Sequence, residues 1–290
     1  MLTLKQKINK IILNIIPKNL YISIRYYLVH GHFINKRNPK TFTEKLQLRK
    51  LRGKNKLYTK CADKAKVRDY VEKKIGEKYL IPVYLVTPEL TKEQFENLPN
   101  SFVLKATNGS GNASVKLIRK KSDYIFEELR DFFNECKKFD VGKYTMEEWY
   151  SEIPFNVLAE KLLDIKVVDD YKFHCFNSKK IFIEHLIERD KSKGILKSNF
   201  YDEEWNCLDF TIGTEKYSQK IEKPKNYDEM LEIAKKLSED FDYVRVDLYN
   251  IDGKIYFGEL TFCPDGGFGK FTDKSWDYKF GSYWEQPKLK

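Results

Sequence analysis

Two stretches of this 290-residue chain place chemically capable side chains at usable spacings. In Val244-Arg245-Val246-Asp247-Leu248-Tyr249 the apolar residues alternate with Arg245, Asp247 and Tyr249, and in 255–262 Glu259 and Thr261 fall on one face. Whether Asp247 joins them depends on the turn. A two-residue Asp252-Gly253 loop sets Asp247 and Glu259 on opposite faces. A three-residue Ile251-Asp252-Gly253 loop, a type I turn with glycine in αL, sets them together. The second register also gathers Val246, Leu248, Tyr256, Leu260 and Phe262 on one apolar face, so it is the register expected. Two carboxylates side by side are hard oxygen ligands suited to Mg²⁺ beside nucleotide phosphates. Arg245 can meet a phosphate or a carboxylate. Arg245 directly across from Glu259 can equally form a surface ion pair, and the spacing does not choose between the two.

The second stretch is Lys105-Ala106-Thr107-Asn108-Gly109-Ser110-Gly111-Asn112. Its glycines let backbone N–H groups turn toward phosphate oxygens, with a lysine at the entrance to meet their charge. It is not a P-loop: the G-x-x-x-x-G-K-[ST] spacing is missing, and residues 113–118 alternate like a strand. A glycine-rich loop between strands is a flap that can close over a triphosphate, or an ordinary hairpin with an exposed lysine.

The elements that must position these residues are mixed. Thr41-Phe42-Thr43-Glu44 reads as a capping box, a helix is expected over about 60–75, and Ser122 is expected to cap an amphipathic helix carrying Ile125, Phe126, Leu129, Phe132, Phe133 and Cys136. Residues 171–176 and 181–187 bracket a hairpin turn at Asn177-Ser178-Lys179-Lys180, residues 188–226 show little pattern, and 226–239 restores a helix. Strand pairs interleaved with helices give α+β with antiparallel sheet.

Composition sets the bounds. With 41% hydrophobic residues the chain can build a core, and no low-complexity run argues for disorder. Five scattered cysteines without a C-x-x-C pair indicate neither a disulfide framework nor a zinc site, in keeping with a reduced cytoplasm. The net charge of +10 favours anionic partners or reflects a lysine-rich surface; the basic residues are spread along the chain and no nucleic-acid motif accompanies them, so no nucleic acid is expected as a partner. The apolar stripe of residues 2–16, with lysines outside, is too short and charged to span a bilayer. It can rest on an anionic membrane or pack on the protein.

Taken in order, these motifs resemble the ATP-grasp enzymes, and more closely the TupA-like ATP-grasp family of teichuronopeptide and other surface-polysaccharide pathways. The resemblance covers about residues 35–280. It is carried by Asn38-Pro39-Lys40-Thr41-Phe42, Glu44-Lys45-Leu46-Gln47, Ala62-Asp63-Lys64, Asp170-Tyr171-Lys172-Phe173, Asn199-Phe200-Tyr201-Asp202, Trp205, V-R-V-D and G-E-L-T-F-x-P. It implies an ATP-grasp fold with antiparallel sheets, a nucleotide site between two subdomains and a helical N-terminal extension. The implied division is a helical region 1–57, an N-terminal lobe 58–160 bearing the glycine loop, and a C-terminal lobe 161–290 bearing the metal site.

By position, the resemblance implies that Lys64 and Lys105 contact ATP phosphates under a cover of Asn108, Gly109, Ser110, Gly111 and Asn112. Glu160, Lys161 and Leu163 would lie at the adenine hinge. Asp247 and Glu259 would bind Mg²⁺, with Thr261 where many ATP-grasp enzymes carry Asn. Arg245 and Lys172 would sit near the transferring phosphoryl group, and Gly266-Gly267 would line the acyl-phosphate pocket. The implied activity is an ATP- and Mg²⁺-dependent carboxylate–amine ligase acting through an acyl phosphate in polysaccharide (capsule or teichuronopeptide-like) biosynthesis; the cysteine pattern adds a cytoplasmic location, and the stripe at 2–16 leaves peripheral contact with the inner membrane open. Two alternatives stand beside it: a metal-dependent glycosyltransferase using Asp169-Asp170, and a non-catalytic basic binding protein.

Overall fold

The computed structural model describes residues 16–163, 169–190 and 195–286. The stripe at 2–16 therefore lies, apart from Ile16, outside the described residues. The chain forms two compact units, the first holding Gly53–Lys73 and Leu80–Asp164, the second Pro17–Arg52, Lys74–Tyr79 and Ile165–Lys290.

The first unit is built on an antiparallel sheet of β1 (Val83–Thr87), β2 (Phe102–Ala106), β3 (Val115–Ile118) and β4 (Val157–Lys161), in the order β1-β4-β2-β3. Phe102, Leu104 and Ala106 on β2 meet Val157 and Ala159 on β4 and form a core with Leu129 and Phe133 of helix Phe126–Lys138. That helix begins later than expected. Ser122 sits in a short 3₁₀ turn, Lys121–Asp123, where the Lys121 N–H donates to the Asn100 carbonyl at 2.8 Å. The helix expected over 60–75 is two helices, Lys56–Ala62 and Val67–Ile75. Between them the Asp63 carboxylate accepts from the Ala65 and Lys66 N–H groups, a local bond that competes with helix continuation. The break lets the Lys64 N–H donate to the Thr107 carbonyl at 3.2 Å, which ties Lys64 to the glycine loop.

The second unit holds β5 (Asp169–Phe176), β6 (Lys180–Asp190), β7 (Ile195–Tyr201), β8 (Cys207–Leu208), β9 (Glu215–Lys216), β10 (Tyr243–Ile251) and β11 (Lys254–Thr261). The sheet runs β11-β10-β5-β6-β7-β8, with β9 added parallel to β7. Among the described residues the weakly patterned stretch 188–226 thus holds the end of β6 and all of β7, β8 and β9. Alternation along β5 and β10 sends Tyr171, Phe173, Cys175, Val244, Val246 and Leu248 to one face, all buried, where helix Tyr227–Ser238 packs with Met230, Ala234 and Leu237.

The opposite face is aromatic at one end. Phe176, Phe182, Phe200 and Tyr243 lie there under helices Phe42–Arg52 and Lys274–Tyr283. Phe42 is the hub, with ring centroids of Tyr243 at 4.9 Å, Phe280 at 5.7 Å and Trp284 at 5.8 Å. Its helix starts on the expected capping box: the Glu44 N–H donates to Thr41 Oγ1 at 3.2 Å, and the Thr41 N–H donates back to Glu44 Oε2 at 3.2 Å. From the same helix Arg49, 2% exposed, donates to the Tyr243 and Phe262 carbonyls at 2.8 Å each, pairs with Asp242 and stacks on Trp284.

Because Arg49 satisfies two buried carbonyls and a carboxylate at once, Arg49→Ala is expected to cost about 3–5 kcal/mol of stability. Urea denaturation checks this. Arg49→Lys, lacking the planar fork, is expected to recover only part of the loss.

Candidate active site

The β10–β11 hairpin turns on two residues. Ile251 pairs with Lys254, and Asp252 and Gly253 have φ of 50° and 84°, the doubly left-handed geometry of a type I′ turn. The three-residue loop expected from the sequence does not form. A plain ladder from this turn would turn Glu259 away from Asp247. Instead a β-bulge absorbs Gly258, and pairing resumes with Asp247 opposite Glu259 and Arg245 opposite Thr261. A side chain at Gly258 would put its Cβ 3.0 Å from the Asp247 carbonyl oxygen and 3.3 Å from the Tyr249 ring, so glycine suits the bulge. The two carboxylates are thus neighbours by a different route, with two consequences for the expected pattern. Phe257, not Tyr256, joins the apolar face, and Arg245 lies across from Thr261, not Glu259.

The neighbouring strands complete the face. Lys172 of β5 lies opposite Asp247, His174 opposite Arg245, and Glu184 of β6 opposite Lys172. Arg245 grips Asp247 with two bonds of 2.7 Å from Nε and Nη2, and reaches Thr261 Oγ1 at 3.2 Å and Glu259 Oε1 at 3.4 Å. Lys172 Nζ lies 2.8 Å from Asp247 Oδ2 and 3.0 Å from Asp170 Oδ1. Thr261 donates to Glu259 at 3.1 Å. Burial works against the Asp247 charge, but Arg245 and Lys172 more than reverse it and hold the carboxyl at about 2. Burial likewise works against the Lys172 ammonium, and Asp247 and Asp170 overcome it and raise its pKa.

Two residues that the sequence did not single out for this site, His174 and Glu184, extend it. His174 and Glu184 are buried and, with Arg245, Asp265, Pro264, Gly269 and the apolar Phe42 and Phe271, line a pocket. His174 Nδ1 meets Tyr243 Oη at 3.0 Å, whereas its Nε2 has no hydrogen-bond partner and lies 3.8 Å from Glu184 Oε2. Burial keeps His174 below its ordinary pKa, so the ring is neutral near pH 7. The only sequence signal was polar alternation on β5 and β6, which names a face but not its neighbours. Gly266 and Gly267, expected to line the acyl-phosphate pocket, offer their carbonyls to Gln47, and Gly266 also to Lys50, and neither lines the pocket beside Arg245. Pro264 and Asp265 just before them, and Gly269 just after, do line it.

In the first unit the glycine loop leaves β2 and turns into a 3₁₀ turn, Gly111–Ser114. Thr107 anchors it: its Oγ1 donates to the Pro154 carbonyl at 3.0 Å and accepts from the Asn156 N–H at 2.9 Å. Gly109 is required sterically, since a Cβ there would fall 1.8 Å from Ser114 Oγ. Ser110 and Gly111 are exposed, Asn108 is half-buried, and the side chain of Asn112 lies outside the described residues. Lys64 Nζ donates to the Gly109 carbonyl, and Lys105 forms an ion pair with the buried Glu160. Lys161 ends β4 exposed, its N–H donating to the Pro82 carbonyl at 2.9 Å, and Leu163 follows half-buried.

Since Asp247 is held at about 2 against an unfolded carboxylate near 3.9, its contribution to stability is complete above about pH 5 and is lost as pH falls through about 2. Asp247→Asn is therefore expected to flatten the acid limb of the urea midpoint between about pH 4 and pH 2. An acid limb as steep as that of the parent chain would contradict the assignment.

A family model described as TupA-like ATPgrasp matches residues 44–285. No curated protein matches the chain. Among solved structures, D-alanine–D-alanine ligase from Helicobacter pylori is similar at 16% identity and a TM-score of 0.43, covering 78% of this chain and 61% of its own. N5-carboxyaminoimidazole synthetase from Staphylococcus aureus complexed with ADP is similar at 15% and 0.42, covering 72% and 46%. D-alanine–D-alanine ligase from Bacillus anthracis complexed with ATP follows at 15% and 0.40, covering 70% and 54%. The chain thus spans roughly half to three-fifths of the length of these structures, and at such identities the family match carries the assignment. With the match running through both sheets and every strand described above, the chain belongs to the TupA-like ATP-grasp family.

Proposed function

We propose that this chain is an ATP- and Mg²⁺-dependent carboxylate–amine ligase acting through an acyl phosphate. The observation that supports it most directly is the polar face of the second unit. Four carboxylates, Asp170, Glu184, Asp247 and Glu259, share it with two cations, Lys172 and Arg245, so its charge is complementary to a divalent cation. Among the described residues no three His, Cys, Asp or Glu side chains form a closed metal cage. Mg²⁺ needs only one or two carboxylates and fills its octahedron with phosphate oxygens and water. Asp247 and Glu259 would hold the ion, and the Thr261 hydroxyl is a weaker ligand than the amide oxygen common at that position. Bound there, Mg²⁺ would neutralise charge on the ATP phosphates.

In the first unit Lys64 and Lys105 would bind those phosphates, with loop 108–112 as cover and Glu160, Lys161 and Leu163 along the adenine edge. Lys105 would have to share its ammonium between Glu160 and a phosphate oxygen. A carboxylate oxygen of the first substrate then attacks the γ-phosphorus as its bond to the bridging oxygen of ADP breaks. Arg245 and Lys172 stabilise the charge spread over the phosphoryl oxygens. The nitrogen of the second substrate next bonds to the acyl carbon while phosphate leaves with the C–O electron pair. The proton that the amine gives up would pass to a carboxylate of the same face, for which Glu184, lining the adjoining pocket, is the candidate.

The family resemblance extends this reading to an amide joining an amino acid or amino sugar to a uronic acid or peptide of a surface polymer. The glycosyltransferase alternative weakens on geometry. Asp169 and Asp170 begin β5 on opposite faces, one beside His185 and the other bound by Lys172, so they do not converge on one metal.

Thermal unfolding with Mg-ATP tests the nucleotide site. At 100 times Kd the ligand adds about 2.7 kcal/mol, a rise of roughly 5–10 °C. The rise should vanish in Lys105→Ala and shrink in Asp247→Asn, and a panel of UDP-sugars should give none. For phosphate release in a screen of acid–amine pairs, Lys105→Ala, Asp247→Asn and Arg245→Ala are expected to lose about 10²–10³-fold or more. Full turnover in any of them would sink the assignment.

A further inference from the structure

Helix Lys18–His30 of the second unit buries Ile22 and Tyr26 completely and turns Leu20, Ile24, Tyr27 and Leu28 the other way, at 41% to 76% exposure. The spacing i, i+4, i+7, i+8 makes these one stripe. Phe33, 64% exposed, stacks on Tyr27 with centroids 4.7 Å apart and lengthens it. Half of the exposed large apolar side chains among the described residues fall within 20–33, so this is a patch and not scatter.

The surrounding sequence has one sign of charge. The first acidic residue of the chain is Glu44, after eight lysines and arginines. Those 43 residues thus carry eight of the ten net positive charges, and the rest of the chain is near balance. Basic residues are spread throughout, but their excess is concentrated here because the acids are missing. Arg25, Arg37 and Lys40 are exposed in this region, with Arg25 over the Phe268 ring at 4.1 Å.

We infer that this face docks the protein on an anionic lipid bilayer, with the helix lying in the interfacial plane. Its 13 residues are too few to span, and among the described residues no helix is long and apolar enough to cross a membrane. Leu20, Ile24, Leu28 and Phe33 would enter the acyl boundary, Tyr27 would sit at headgroup level, and the basic residues would meet anionic headgroups. A second copy is a poorer occupant. A two-fold contact through this face would set two copies of the basic segment 18–43 against each other.

Flotation of the full chain with vesicles decides it. Vesicles of phosphatidylcholine with about one-third phosphatidylglycerol should carry the protein at least about tenfold better than phosphatidylcholine alone, and less well as salt rises. Ile24→Glu/Leu28→Glu, and the milder Leu28→Gln at a residue 76% exposed, should lower recovery with unchanged melting, by about tenfold for the double variant. Tyr278→Glu, at an exposed aromatic residue of another helix, should leave it intact. No flotation with anionic vesicles would overturn the inference. So would undiminished flotation of the double variant, or a concentration-dependent dimer that the double variant abolishes. Because the readout is lipid binding, it fails or succeeds independently of the ligase reading.

Discussion

The second unit is organised around a carboxylate that has almost no water. Asp247, 2% exposed, keeps its charge only because Arg245 on its own strand and Lys172 on the adjacent strand reach it together. Removing charge from water costs several kcal/mol per ion, and the attraction repays this only when geometry is good and the remaining lone pairs are used. That requirement constrains much else. β5 must lie beside β10 in the register that sets Lys172 opposite Asp247, and Asp170 must turn inward to share the lysine. A buried charge cluster of this kind is weak evidence of stability, since well-packed apolar residues could do as well. It is better understood as a preorganised array of charges, whose use is to meet charge developing on a ligand without reorganising.

The array is kept rigid from the other end of the same face. Phe42 and its aromatic neighbours fill the space under two helices that come from opposite ends of the chain sequence. Arg49 fastens that packing to the ends of β10 and β11 through the Tyr243 and Phe262 carbonyls. Tyr243 joins the two regions: it packs on Phe42 and also meets His174, which lines the pocket beside Arg245. Core packing and site geometry therefore share residues, and a disturbance of one is transmitted to the other.

Local chemistry was legible in the sequence at several points where neighbours along the chain supply both partners. Thr41 and Glu44 are three residues apart and form the capping box that their types suggest. Alternation along 170–176 and 243–249 sorts the faces of β5 and β10, because a strand has a period of two whatever it pairs with. Errors arose where one local device displaced another. Asp63 breaks the helix expected over 60–75 by accepting from its own downstream N–H groups, and Asp252-Gly253 closes a tight turn where the apolar pattern asks for a longer loop.

The amino-acid sequence by itself thus determined the element types, the two families of polar side chains and the order of motifs that marks the ATP-grasp family, since each rests on residue type and short spacing. The tertiary structure alone decided which polar groups are neighbours. Glu259 faces Asp247 because a bulge at Gly258 shifts the ladder by one residue, and nothing in the alternation of 255–262 specifies that shift. His174 and Glu184 belong to the site because β5 and β6 lie next to β10, and Lys105 meets Glu160 because β2 and β4 are adjacent. These are contacts across long sequence separations, set by the way whole faces bury their apolar sides, and a one-residue slip in any of them would turn every chemical group the other way.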